Sequence, residues 1–371
     1  MIYADHASTA PLSKQAQRVV FELTEEFGNP SSPHAMGASA QKIISNARNE
    51  IKELIGANES DTLIFTSGGS EANAQALFSA LAFEKKRLII SAIEHDSVFN
   101  SAKALERFGL TTDVADADRS GTVLPETIEK LIDGATATVS VMTANNEIGT
   151  IQPISSIGAI CRERGIAFHT DAVQAVGHIP LCFKETNADM LSISAHKFGG
   201  MKGVGALCVR EGARVLPIIN GGMQENGLRA GTENIIGIAA MAAALKEALA
   251  NSEEKQSKTE ELRKRLIGGL SEIDGVLFNG SAENSLSGIV NVSFPSINSD
   301  AMLMMLDSFG ICASSGAACR SAEGTPSRVL AAIGLSRERI DSAVRFSFSN
   351  ENTVDEIDFI IKAVRRILNE K

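Results

Sequence analysis

The chain has 371 residues, of which 44% are hydrophobic and 22% charged, a composition that excludes a disordered polypeptide and leaves room for roughly two domains. Its net charge of −10, without any run of Lys or Arg, argues against direct nucleic-acid binding through a basic face. Five cysteines, odd in number and without a C-x-x-C pair, argue against a disulfide framework or a zinc site, so no metal is expected and the thiols fit a reducing compartment.

The opening MIYADHASTAP carries an acid at Asp5 and lacks the apolar core of a signal peptide, so a cytoplasmic location is expected. From about residue 60 to 210, short β-rich runs alternate with helical patterns: TLIFT (62–66), RLIIS (87–91), TATVSVM (136–142), IAFHT (166–170), DMLSIS (189–194) and GALCVR (205–210). Alternation of this kind predicts an α/β fold with a mostly parallel sheet wrapped by helices. The runs are continuously apolar, as strands covered on both faces are. IIGIAAMAAAL (235–245) is too short for a bilayer and rich in small residues, which predicts a buried helix and no membrane contact. The charged NSEEKQSKTEELRKR (251–265) predicts a solvated helix leaving the first domain near residue 255. Beyond it, GIVNVSF (288–294), AVRFSF (343–348) and a final helix with a Thr353/Glu356 capping box predict a smaller α+β domain.

Ligands of such sheets bind beyond the carboxyl ends of the strands, and five of these ends carry polar residues. After DMLSIS, the sequence AHKFGG places Ser194, His196 and Lys197 beside glycines, where an amine can condense with a cofactor aldehyde. After IAFHT comes Asp171, which reads as a helix cap taken alone and, with Lys197, as the carboxylate that pyridoxal phosphate needs at its ring nitrogen. Gly69 and Ser70 open a helix after TLIFT, a place suited to a phosphate. His95 and the Asn145-Asn146-Glu147 group follow two further strands. In AVRFSF, Val344, Phe346 and Phe348 alternate with Arg345, Ser347 and Ser349, leaving a guanidinium on the polar face.

The segments YADHAST, FGNPSSPH, FTSGGSEAN, EHDSV, NNEIGTIQP, HTDAVQAVG, SAHKFGGMKGVGAL, LRAGTEN, SSGAAC and VRFS stand in the order found in the cysteine desulfurases of the NifS/IscS type. The chain resembles that family over nearly its whole length. The resemblance implies the fold type I of pyridoxal-phosphate transferases, with a large cofactor-binding domain over 15–255 and a small one formed by 1–14 and 256–371. It implies that Lys197 carries pyridoxal 5'-phosphate, that Asp171 pairs with the ring nitrogen, that Gln174 bonds its phenolic oxygen, and that His95 stacks on the ring and assists proton transfer. Gly69, Ser70, Ser194 and His196 match phosphate positions, and Thr232 matches one that reaches the neighbouring subunit's phosphate, so a homodimer is implied. Asn146 and Arg345 match the groups that hold the substrate's carboxylate. Ser70 in place of the usual threonine, Met201 in place of a common proline and the ending of DHAST depart from the pattern without removing a catalytic group.

The activity so implied removes sulfur from L-cysteine, leaving L-alanine and a persulfide on an enzyme cysteine, with Lys197 as the base for the Cα proton. Cys319, among small residues in CASSGAACRSAEG and followed by Arg320, is the expected thiolate, and its loop the expected carrier arm that hands sulfur to an iron–sulfur scaffold or sulfur-carrier protein. Cys312 reads as apolar filling in a strand. The alternatives are a selenocysteine lyase or another class-V aminotransferase-type enzyme and, from a different class, a non-catalytic sulfur-relay scaffold, against which the joint presence of Lys197, Asp171, His95, Cys319 and Arg345 argues.

Overall fold

The computed structural model describes residues 1–315 and 326–369; Cys319 and Arg320 lie outside the described residues. The chain opens on a two-residue strand, β1 (Ile2–Tyr3). Seven strands then form one sheet: β2 (Thr62–Thr66), β3 (Arg87–Ser91), β4 (Thr111–Ala115), β5 (Thr136–Ser140), β6 (Ala167–Asp171), β7 (Met190–Ser194) and β8 (Gly205–Val209). Their order is β2-β8-β7-β6-β5-β3-β4, and β8 alone runs against its neighbours. Because β8 reverses direction between β2 and β7, the remaining strands all end at the same edge, which gathers their carboxyl ends.

The pleat sends alternate residues to opposite faces. On one face Ile64, Met190, Leu207 and Val209 cluster with Ala72 and Ala76 of the helix Gly69–Phe78, whose small side chains allow close approach. On the other, Leu63, Phe65, Leu191, Ile193 and Cys208 cluster with Ile44 and Ile51 of Ala35–Leu54 and with Met241 and Leu245 of Ile235–Leu249. Covering both faces is why these strands read as unbroken apolar runs. The helix Ile235–Leu249 is buried as its alanines predict, and no single described helix is long and apolar enough to cross a membrane. The sequence reading missed β4: TTDVA is a largely uncovered edge strand, so it lacks the apolar signature of the others.

A second core forms at the C-terminal side. Here β9 (Leu277–Asn279), β10 (Ile289–Ser293) and β12 (Ala343–Ser347) make an antiparallel sheet of order β12-β10-β9, while β11 (Ile311–Cys312) pairs in parallel with β1. Leu262, Leu266 and Leu270 of the helix Ser252–Ser271 pack with Val344 and Phe346 of β12 and with Ile357, Ile360 and Val364 of the final helix Val354–Asn369. Fully burying each of these side chains stabilises the fold by about 1.5–3 kcal/mol. The final helix is capped as its sequence predicts: Glu356 Oε2 accepts the Thr353 N–H at 3.0 Å, and Thr353 Oγ1 accepts the Glu356 N–H at 3.2 Å.

The two cores are stitched by the chain's ends. Asp5 bridges to Ser347, extending the N-terminal segment along β12, and Ala7 N–H donates to Ser347 Oγ at 2.9 Å. Val329, Leu330 and Ile333 of the C-terminal half join the larger core. Between the cores, at the carboxyl edge of the large sheet, lies a cavity.

Candidate active site

The cavity has a volume of about 300 Å³, and Gly69, Ser70, His95, Asn146, Asp171, Gln174, Ser194, His196, Lys197 and Arg345 all line it. Their sequence positions are scattered, and the fold brings them to one place. Thr232 lies away from it, exposed on the surface, and Cys319 is outside the described residues.

Asp171 is the last residue of β6, with turns rather than a helix behind it, so the helix-cap reading does not hold. Its carboxylate is 4% exposed and held by two donors: Oδ1 accepts the Val173 N–H at 2.9 Å, and Oδ2 accepts from Asn73 Nδ2 at 2.7 Å. Lys197 closes a short 3₁₀ turn, Ala195–Lys197, directly after β7. Its Nζ donates to the carbonyls of Ala7 at 2.7 Å and Ser8 at 2.9 Å, which brings the N-terminal segment against the sheet edge. Gln174 Nε2 donates to the same Ala7 carbonyl at 2.8 Å. His196 Nδ1 lies 3.2 Å from Thr9 Oγ1, and burial, reinforced by Lys197 and Lys202, lowers its pKa to about 4. It is therefore a neutral hydrogen-bonding group near neutral pH.

The helix Gly69–Phe78 begins without a side-chain cap, so its first amides and positive dipole end face the cavity. Crowding dictates the glycines here. A Cβ on Gly69 would lie 2.7 Å from Val173 Cγ2, and one on Gly205, at the start of the reversed strand, would lie 2.7 Å from the Gly68 backbone.

Arg345 enters from the opposite side. It is 2% exposed and far from a solvated edge residue: Nη1 donates to the Asn146 carbonyl at 2.7 Å, and Nη2 to Asp5 Oδ1 at 2.8 Å and Ser8 Oγ at 2.6 Å. The alternation read from AVRFSF explains the placement, with Val344 and Phe346 in the small core and the guanidinium turned toward the sheet edge. Ser314 and Arg345 exchange backbone hydrogen bonds, so the segment that follows β11 runs beside β12 at Arg345.

A sequence profile described as aminotransferase class V matches residues 2–360. The chain belongs to the class-V aminotransferase family. "Cysteine desulfurase IscS" of Dictyoglomus turgidum is 40% identical over 374 residues, spanning 100% of this chain and 95% of that protein. Among solved structures, a NifS-like protein superposes with a TM-score of 0.94 at 34% identity, covering 100% of both chains. Another, SspA in complex with cysteine, gives a TM-score of 0.83 at 33% identity, covering 94% of this chain and 99% of the other.

In this member of the class-V aminotransferase family the cavity is lined by further residues that the sequence reading passed over, Ser8, Asn73, Glu94, Ser97 and Arg328, and by Glu147, while Asp5 reaches it through Arg345. Glu94 is fully enclosed, its Oε1 accepting from Ser91 Oγ at 2.6 Å and from the Met142 N–H at 2.7 Å, while Oε2 is buried without a partner. Burial, opposed by the Ser91 bond and reinforced by the charge of Asp171, raises its pKa to about 8. Its place at the end of β3, immediately before His95, was the available signal. Glu147 accepts from Ser327 Oγ at 2.5 Å, and Arg328 pairs with Asp96 and lies over the Phe99 ring, 3.7 Å from its centroid. These contacts join the cavity to Ser327 and Arg328 across distances in sequence that no local pattern reveals.

The cysteines divide by burial. Cys161 and Cys208 are fully buried, and desolvation pushes the Cys161 thiol up to about 12 and the Cys208 thiol higher still, so neither is a nucleophile. Cys182 packs against Gly56, whose added Cβ would meet its sulfur at 2.5 Å. Cys312 is half-buried in β11, in register with Tyr3.

Proposed function

We propose that the chain is a cysteine desulfurase that uses pyridoxal 5'-phosphate and transfers the sulfur of L-cysteine to Cys319. The observation that carries this reading is the convergence of Lys197, Asp171 and Arg345 on one cavity with an uncapped helix start. The residues present fit the cofactor. The Asp171 carboxylate is oriented by two donors, the amides before Ala72 and the Ser70 and Ser194 hydroxyls offer a phosphate cradle, and Gly69 keeps it open.

The cofactor, once bound, supplies an electron sink that acidifies the Cα–H of an amino acid and weakens its Cβ–S bond. Lys197 attaches it and moves the proton at Cα. Asp171 would hold the proton of the ring nitrogen, Gln174 and His95 would orient the ring, and Gly69, Ser70, Ser194 and His196 would bind the phosphate. The Arg345 fork, pre-oriented by Asp5 and Ser8, clamps the substrate's carboxylate with Asn146. The Cys319 thiolate would attack the substrate sulfur: an S–S bond forms, the Cβ–S bond breaks with its electron pair left on Cβ, Cβ takes up a proton, and the remainder of the substrate leaves as alanine.

The division into 15–255 and 1–14 with 256–371 is supported by the two cores, which meet at this cavity. We further propose a homodimer in which Thr232 reaches the partner's phosphate, for which its exposure and that of Phe21 and Phe27 speak. The product persulfide goes to a sulfur-acceptor protein, such as an iron–sulfur scaffold, in the cytoplasm. The test incubates holoprotein with L-cysteine and a reductant while alanine and sulfide are measured together. Equal yields of both support the reading. A keto acid without alanine overturns it in favour of transamination.

A further inference from the structure

The wall of the cavity behind His95 is a continuous hydrogen-bonded row. His95 is the N-cap of the helix Asp96–Leu105, its Nδ1 accepting the Ser97 N–H at 3.1 Å. Ser97 Oγ lies 2.8 Å from the same Nδ1 and 2.9 Å from Asn73 Nδ2, and Asn73 Nδ2 lies 2.7 Å from Asp171 Oδ2. Asn73 is 1% exposed, one turn into the helix Gly69–Phe78.

The donors in this row have a forced direction. A carboxylate accepts and does not donate, so the amide nitrogen of Asn73 must face Asp171. One of its two hydrogens goes to Asp171 and the other to Ser97 Oγ. The Ser97 hydroxyl, accepting from Asn73, directs its own hydrogen to His95 Nδ1. That nitrogen then faces two donors, the hydroxyl and the backbone N–H of Ser97, and can carry no hydrogen of its own. The neutral imidazole must hold its hydrogen on Nε2, which has no protein partner among the described residues.

We infer that Asn73 and Ser97 are positioning residues that lock His95 in the Nε2–H form, making it a hydrogen-bond donor to the ligand in the cavity and unsuited to accept a proton there. The sense of the row ties this lock to the carboxylate that would hold the cofactor's ring nitrogen, because the Asn73 amide is anchored at Asp171. For the reaction, an inference that rests on the desulfurase reading, removal of the Cα proton falls to Lys197 alone, and His95 donates a hydrogen bond to a group that gains electron density.

The test is solid-state 15N spectroscopy of protein labelled at histidine, with and without pyridoxal phosphate, the His95 signals being assigned among the six histidines by their loss in His95→Gln. The wild type should show Nδ1 unprotonated and Nε2 protonated. Ser97→Ala keeps the backbone N–H but loses the hydroxyl donor and should give a mixture of tautomers, with Ser97→Thr restoring the single form. In steady-state assays Ser97→Ala should lower kcat by about tenfold, the scale of one weakened hydrogen bond, with KM for L-cysteine little changed. Protonated Nδ1 in the wild type, or an unchanged tautomer in Ser97→Ala, overturns the inference. If the tautomers behave as stated but no alanine forms from L-cysteine, the lock stands and the desulfurase reading fails.

Discussion

On one side of the cavity, Gly69, Ser70, Asp171, Ser194, His196 and Lys197 sit at the ends of strands whose positions a seven-stranded sheet fixes through backbone hydrogen bonds. On the other, Asp5 and Arg345, 340 positions apart, meet through side-chain bonds at the junction of two cores. The first wall needs its neighbours in sequence only to be short and small. The second exists only when the N-terminal segment lies along β12 in the smaller core and Arg345 reaches the Asn146 carbonyl across the cavity, so it depends on contacts distant in sequence. The sheet wall is therefore expected to tolerate loss of single polar groups at little cost to folding, whereas the junction wall couples substrate binding to stability.

The largest effect tests the sheet wall: Lys197→Ala should reduce alanine formation by about a thousandfold or more, and its yellow colour should be lost on dialysis against an amine, while its unfolding midpoint stays near the wild type. The junction wall should behave otherwise. Arg345→Ala leaves the half-buried Asp5 without its cation and the Asn146 carbonyl without its donor, and chemical unfolding should show a loss of about 1–3 kcal/mol together with a raised KM for L-cysteine. Arg345→Lys keeps the charge but loses the fork, and should recover stability better than substrate affinity. If Arg345→Ala changed KM alone, the contrast between the walls would collapse.

A pH measurement sharpens the sheet wall. The pKa of Glu94, raised to about 8 from an ordinary 4.5, means that the folded chain holds this proton more tightly than the unfolded chain. Its contribution is present in full below pH 4.5 and is lost as pH rises through 8. Glu94→Gln should remove that loss, giving a thermal midpoint that falls less between pH 4.5 and about 8 than the wild type's. His196 acts at the other end: its lowered pKa of about 4 withdraws stability as pH falls below about 6.5. The smallest effect belongs to Ser70→Ala, which should weaken cofactor binding by about three- to tenfold, one hydrogen bond's worth.

The same contrast explains what could be read from the sequence. Asp171, Lys197 and Gly69 were legible because strand ends are local: an apolar run stops and a polar residue follows. The seven-stranded sheet was legible except for β4, whose edge position removes the apolar signal, and except for the reversed direction of β8, which apolar runs do not encode. Arg345 was visible as a polar residue on a strand face, but its burial against Asp5 and Ser8 was not, since those partners lie at the other end of the chain. Asn73 and Ser97 were missed for a related reason. Each is an ordinary polar residue in a helix, and only the crossing of two helices at Asp171 aligns them.

One experiment bears on the whole reading. Holoprotein is given one equivalent of L-cysteine without reductant, digested, and analysed by mass spectrometry alongside Cys319→Ala. The peptide containing Cys319 should gain the mass of one sulfur atom in step with alanine release, and the variant should release almost no alanine. Sulfur on Cys312 instead, or alanine released at the wild-type rate by Cys319→Ala, would contradict it.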